Sequence, residues 1–137
     1  MDIRLLAPGD EELLIEAVAL SDEDCPSAEA RLHLADKDLV CIVALDAGEV
    51  VAFIYGHILR RFEATSLFIY SVDTTPTRQR QGIAKAMLQA LVAEGRTGRW
   101  DEMFVFTNRS NAAAMALYAS AGGVTPEPDD VVMFDFD

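Results

Sequence analysis

The feature that most limits how this chain can fold is a change of hydrophobic period near residue 75. Upstream of it, Leu39–Leu45, Val50–Tyr55 and Leu67 to about Thr74 are apolar, β-rich runs of strand length. Downstream, Ile83, Met87, Leu88, Leu91 and Val92 recur at the spacing that lines one face of a helix, ending near Gly95. Ile3–Leu5 suits a short first strand. Pro8-Gly9-Asp10 offers a helix start, with Leu13, Leu14 and Val18 as its stripe to about Leu20. Ser27 is the expected cap of a second short helix over Ala28–Leu34, and Asp46-Ala47-Gly48-Glu49 reads as a hairpin turn. Met103–Phe106 is a short buried strand. Ala114, Leu117, Tyr118 and Ala121 line a last helix that Gly122-Gly123 stop, and Val131–Phe136 is expected to close the chain as a strand. The order β-α-α-β-β-β-α-β-α-β predicts an α+β fold with helices on both faces of a sheet. With 137 residues and no linker, repeat or low-complexity tract, residues 1–137 form one expected domain.

Composition narrows the function classes. A hydrophobic share of 51% excludes disorder, and no apolar run approaches the ~20 residues that cross a bilayer. The chain opens Met1-Asp2 with no basic-then-apolar leader, and Cys25 and Cys41 have no metal-ligand spacing. A cytoplasmic protein without a metal is therefore expected. Eleven Lys+Arg against 23 Asp+Glu leave a net charge of −12, which repels nucleic acid and anionic membranes and attracts cations. Solubility alone is an equally good reason for such a charge. The distribution is uneven: acids crowd the first fifty residues and the C-terminus, while Arg78, Arg80, Lys85, Arg96 and Arg99 form a basic island. Two ligands of opposite charge would suit it.

The stretch Val72-Asp73-Thr74-Thr75-Pro76-Thr77-Arg78-Gln79-Arg80-Gln81-Gly82-Ile83-Ala84 carries the chemistry. The first N–H groups of a helix have no acceptor within it, and the helix dipole adds partial positive charge there. Gly82 and Ala84 allow close approach to the backbone, and Arg78 and Arg80 add charge, so the turn can cradle a pyrophosphate. No Gly-Lys-Ser/Thr follows, so it is not a P-loop, and a single glycine is not a dinucleotide fingerprint. On these residues alone an ordinary polar turn is an equal reading.

Gln79-Arg80-Gln81-Gly82-Ile83-Ala84 resembles the Gln/Arg-x-x-Gly-x-Gly/Ala signature of the GNAT superfamily of acetyl-CoA-dependent N-acetyltransferases. Val72–Pro76 resembles that family's strand end, and Asn111–Tyr118 followed by Gly122 resembles its Asn-x-x-Ala-x-x-Leu/Phe-Tyr-x-x-x-Gly motif. The resemblance implies a mixed, mainly antiparallel central sheet with helices on both faces. It implies acetyl-CoA as co-substrate, its pyrophosphate on the backbone of Gln79, Arg80, Gln81, Gly82, Ile83 and Ala84. Val72, Asp73 and Thr74 would pair with pantetheine, Asn111 would bond that arm or order its loop, and Tyr118 would face the thioester sulfur. Thr74, Ala84 and Gly123 depart from the commoner residues without removing a backbone donor.

The chemistry itself asks for a group that takes a proton from an alkyl amine and a donor for the leaving thiolate. Tyr118 is the expected acid, the alternative being a core aromatic. The base is open among Asp73, Glu63, Asp135, His57 and a chain of waters. A closer resemblance, to the type I aminoglycoside 3-N-acetyltransferases, rests on Phe62-Glu63, Phe68-Ile69-Tyr70, Arg80–Ala84 and the ending Asp129-Asp130-Val131-Val132-Met133-Phe134-Asp135-Phe136-Asp137. It implies Glu63, Tyr70, Ser71, Asp129, Asp130 and Asp135 as acceptor contacts, with Ser71 where that family has an aspartate. The strand in that family is often bulged at this point. The expected partner is a small polycationic amine, with a homodimer as one assembly and neither nucleic acid nor membrane. Acetylation of a polyamine or basic peptide, or a non-catalytic CoA-binding sensor, are the other readings.

Overall fold

The computed structural model describes residues 1–128 and 130–136. Strand β1 (Asp2–Leu5) turns at Pro8-Gly9 into helix α1 (Glu11–Val18), and one 3-10 turn, Ala19–Ser21, precedes α2 (Ser27–Ala35). Strands β2 (Leu39–Asp46), β3 (Glu49–Arg60) and β4 (Thr65–Thr74) follow, then α3 (Ile83–Glu94), β5 (Glu102–Val105) and α4 (Ala112–Ser120). The β2–β3 hairpin closes on Ala47 and Gly48, both at positive φ, as a twisted two-residue turn requires.

Two expectations are corrected. Ser27 is the first residue of α2 rather than its cap; Pro26 holds the cap position, and no side chain bonds there. Proline supplies the fixed φ that starts a helix but no acceptor. The expected strand Val131–Phe136 is not formed: among the described residues, 130–136 are exposed chain without regular structure, outside the sheet. Strand propensity alone does not make a strand, because its N–H and C=O groups need a partner edge.

The five strands lie in the order β1-β2-β3-β4-β5, antiparallel throughout except for the parallel β4–β5 pair that α3 connects. Helices cover both faces. On one, Ile42, Ile54, Leu67 and Ile69 of the sheet bury Met87, Leu88 and Leu91 of α3, with Leu117 and Tyr118 of α4 at the margin. Met87 and Leu91 are almost wholly buried, each contributing roughly 1.5–3 kcal/mol relative to exposure. On the other, Leu14 and Ala17 of α1 and Ala30 and Leu34 of α2 pack on Val43 and Phe53.

Two irregularities position the site. The β4–β5 ladder runs from Ser66↔Glu102 to Ile69↔Val105 and stops, while β4 continues to Thr74 paired with β3 alone. From Tyr70 onward, alternate N–H and C=O groups of β4 therefore face an open gap. The second irregularity is a bulge: Tyr55 pairs with Ser71 and Gly56 with Ile69, so Tyr70 is an extra residue. Gly56 permits it, since a Cβ there would sit 2.5 Å from the Phe68 carbonyl oxygen. The extra residue resets the alternation. Leu67, Ile69 and Val72 all meet the α3-side core, whereas Ser71 and Asp73 share the α1–α2 face with their partners Tyr55 and Phe53.

Candidate active site

The turn after β4 is held from both ends. Thr75 N–H donates to Val51 O of β3 at 2.9 Å, and Pro76–Arg78 makes a single 3-10 turn. The side-chain amides of Gln79 and Gln81 donate to Thr74 O and Thr77 O, both at 3.3 Å. Arg80 and Gly82 adopt positive φ, 63° and 78°. Gly82 is the N-cap of α3, and the first helical bond is Ala86 N–H to Gly82 O, so the N–H groups of Ile83, Ala84 and Lys85 have no acceptor in the helix. No side chain caps them. A Cβ at residue 82 would meet nothing within 4 Å, so glycine is required by its backbone conformation and leaves space over the donors. Arg78 pairs with Asp46 in the β2–β3 hairpin, while Arg80 and Lys85 form no ion pair among the described residues. The turn is thus an anion cradle with two cations available.

The gap beyond Ile69 and Val105 opens beside this cradle. Val72–Thr74 form its β4 wall, and Tyr118 of α4 approaches from the α3 side. Asn111 caps α4, its Oδ1 accepting Ala114 N–H at 3.0 Å. That bond fixes the first turn of α4. At the other end, Gly123 N–H donates to Tyr118 O and Gly122 N–H to Ala119 O, a paired C-terminal cap that Gly122 permits with φ 99°. Both ends of the helix carrying Tyr118 are therefore tied. Burial raises the Tyr118 pKa above the ordinary tyrosine value, and the negative charge of Asp73 adds to it. The shift keeps the phenol protonated, the form a proton donor needs.

Asp73 is held by two hydroxyls. Ser21, at the end of the 3-10 turn after α1, and Ser71 both donate to Oδ2 at 2.7 Å, which leaves Oδ1 for another donor. Ser71 thus serves the nearby carboxylate. On the same face a cavity of about 260 Å³ lies between the α1–α2 loop and the sheet, lined by Glu23, Asp24, Glu29, His33, Phe53 and Tyr55 among others. The Tyr55 pKa is pushed up to about 12 by burial first, then by Tyr70, Glu23 and Asp73. A second cavity, about 560 Å³, lies on the α3 side between Leu88, Trp100, Val105 and Tyr118.

The structure brings together Val72, Asp73, Thr74, Ser71 and Tyr118 around the gap and Gln79–Ala84 at its cradle. Tyr70 is the bulged residue, exposed and packed on Tyr55 with ring centres 5.4 Å apart. Glu63 is not brought to them: it lies in the β3–β4 turn, at the far end of β4 from Asp73. Asp130 and Asp135 sit in the exposed C-terminal stretch rather than on a strand, and Asp129 lies outside the described residues. His57 packs edge-on against Tyr55 and Tyr70 at 6.1 and 6.3 Å. Sequence reasoning missed Ser21, Glu23, Asp24, Glu29 and Tyr55. The signal was present, as Ser21-Asp22-Glu23-Asp24 before Pro26 is an acidic loop between two helices.

Residues 10–122 match the model of the acetyltransferase (GNAT) family. No curated protein matches the chain in sequence. Among solved structures, an aminoglycoside acetyltransferase, meta-AAC0020, from an uncultured soil metagenomic sample in complex with sisomicin superposes with TM-score 0.91 at 22% identity, covering 99% of this chain and 95% of that one. The aminoglycoside acetyltransferase AAC(6')-Iy in complex with a CoA–acetylneamine bisubstrate analogue gives 0.81 at 19% identity, covering 99% and 97%. A ribosomal-protein-alanine N-acetyltransferase from Brucella melitensis gives 0.74 at 20%, covering 98% and 100%. At these identities the likeness is one of fold.

Proposed function

The chain belongs to the GNAT acetyltransferase family, and from that premise we propose that it transfers the acetyl group of acetyl-CoA to an amine of a polycationic acceptor, the 3-amino group of an aminoglycoside. The observation that carries the reading is the open gap between β4 and β5. It runs from an anion cradle along Val72–Thr74, with Asp73 on the α1–α2 face of β4 and Tyr118 of α4 packed on the α3-side core.

The residues fit acetyl-CoA. Backbone donors of Gln79 to Ala84, with Arg80 and Lys85, would hold the pyrophosphate, and the free edge of Val72–Thr74 would bond the pantetheine amides. When bound, acetyl-CoA supplies an acyl group activated as a thioester. The Tyr118 hydroxyl donates its proton to the departing sulfur. Asp73 Oδ1 orients the ammonium group of the acceptor and, directly or through water, receives its proton, while Ser21 and Ser71 keep Oδ2 fixed. A backbone N–H near Val72 stabilises the developing oxyanion.

For the acceptor, the support is charge and place. Glu23, Asp24 and Glu29 line the cavity on the Asp73 face, and each can replace water around one ammonium group of a polycation. Tyr70 and Ser71 border that face. The C-terminal acids Asp129, Asp130 and Asp135, with Glu63, add to the field of a protein carrying −12. Several structural neighbours act on aminoglycosides, one of them a 6'-type enzyme.

The test is acetyl-CoA-dependent thiol release with gentamicin-type and kanamycin-type antibiotics, spermidine and a basic peptide, with the acetylated position mapped by NMR. Acetylation of the 3-amino group is the expected result. Reaction with spermidine or peptide alone would replace the antibiotic by another cationic acceptor. CoA binding without any turnover would favour a sensor domain.

A further inference from the structure

The cavity of about 560 Å³ on the α3 side takes no part in the transfer described above, yet it opens at the same gap. Ile69 and Val105, the last paired residues of the β4–β5 ladder, form its mouth together with Tyr118. From there it runs back beside β5, past Met103, between Leu88 and Val92 of α3 and Ala121 at the end of α4. Trp100 is a fixed wall: its indole is buried against Gly95, where any Cβ would overlap the indole nitrogen. On the α4 side Gly122 and Gly123 add no side chain to fill the space, and a Cβ at residue 123 would sit 2.8 Å from the Tyr118 carbonyl oxygen. The charged members of the lining are Arg96, Asp101 and Glu102. Glu102 opens β5 and lies three residues, about 10 Å, back along the strand from Val105. Asp101 and Glu102 are engaged with β4, where they accept from Thr65 N–H at 2.8 Å and the Ser66 hydroxyl at 2.6 Å.

We propose that this cavity receives the acyl chain of the donor thioester, so that a linear medium-chain acyl-CoA such as hexanoyl-CoA is a donor alongside acetyl-CoA and is held more tightly. The inference rests on the placing of the thioester at Tyr118 in the reading above, and it is independent of which amine accepts. Three observations select an acyl chain. The first is continuity: the mouth of the cavity is the rim of the gap, so a tail leaving the thioester carbon beside Tyr118 enters it directly. The second is the apolar lining over most of its length. Each methylene moved from water into such surroundings strengthens binding roughly fourfold. The third is size. The volume falls within the range of about 300–1,000 Å³ common for small-molecule sites, and the charges of Arg96 and Glu102 set the apolar length, which disfavours a long-chain tail. The chemistry balances as for acetyl: the amide C–N bond forms and the C–S bond breaks. The thiolate takes the proton of Tyr118, and the ammonium proton leaves to Asp73 or water.

The experiment is calorimetric titration with acetyl-CoA and hexanoyl-CoA in the absence of any amine, on wild type, Val92→Phe and Ala121→Phe. Both positions line the cavity and are half-buried, so a ring there fills the space with little disturbance of the core, and circular dichroism checks the fold. Wild type should bind hexanoyl-CoA at least about tenfold more tightly than acetyl-CoA. Each variant should lose that preference while its acetyl-CoA affinity stays within about twofold of wild type. Equal or weaker binding of hexanoyl-CoA by wild type would overturn the proposal and leave the acetyl-CoA reading standing. A preference that survives in either folded variant would also overturn it, because the tail would then lie elsewhere. Failure to bind either thioester would overturn this inference and the cofactor reading together.

Discussion

Tyr118 packs on the α3-side core and Asp73 on the α1–α2 face of β4, and their surroundings suit them to the opposite tasks proposed for them. The Tyr118 phenol is half-buried near a carboxylate, so it keeps its proton; Asp73 has one oxygen occupied by two hydroxyls and one available. Tyr118→Phe retains the ring and deletes the donor. The expected result is a fall in kcat of roughly 10²–10⁴-fold with CoA affinity unchanged by calorimetry. A loss below about threefold would make Tyr118 a packing residue. Tyr55 offers a test of stability. Its folded pKa, about 12, lies above the unfolded value near ~10, so the native state binds more protons between these limits. Its contribution is fully present below about pH 10 and is lost as pH rises toward 12. Denaturant titrations across that window should show a shallower decline for Tyr55→Phe than for wild type.

At the scale of elements, two glycines do different work. Gly82 starts α3 at positive φ and leaves the space over its donors empty, so Gly82→Glu places bulk and negative charge where an anion would sit. CoA binding should fall below detection in calorimetry while the circular dichroism spectrum is retained; wild-type affinity would move the cofactor elsewhere. Gly56 acts through packing, because a Cβ there meets the Phe68 carbonyl across the bulge. Gly56→Ala should cost roughly 1–3 kcal/mol in urea unfolding. Because the bulge sets the face of Asp73, kcat should fall as well; unaltered turnover would mean that Asp73 is positioned by Ser21 and Ser71 alone.

Across the whole molecule the dominant property is charge. A net −12 concentrates cations near the surface, and raising ionic strength from about 0.01 to 0.15 M shortens the screening length from about 30 to 8 Å. The KM for a polyamine or aminoglycoside should therefore rise several-fold over that range while kcat changes little, measured by steady-state thiol release. A salt-independent KM would confine the acids to solubility.

Much of this was legible along the chain. The order of strands and helices, the turn at Gln79–Ala84 and the placing of Tyr118 on a capped helix follow from periodicity, caps and turn chemistry, which act over a few residues. The grouping of carboxylates was not. Glu63 is only ten residues from Asp73, yet an extended β4 separates them by on the order of 30 Å, while Ser21, 52 residues away, donates to Asp73 at 2.7 Å. The final apolar run had the composition of a strand but pairs with no strand edge among the described residues. Whether Ser71 and Asp73 share the acceptor face depended on one extra residue at Tyr70. Since strand side chains alternate with a period of two, a single inserted residue exchanges the faces of everything beyond it, and only the pairing of β3 with β4 records where that insertion falls.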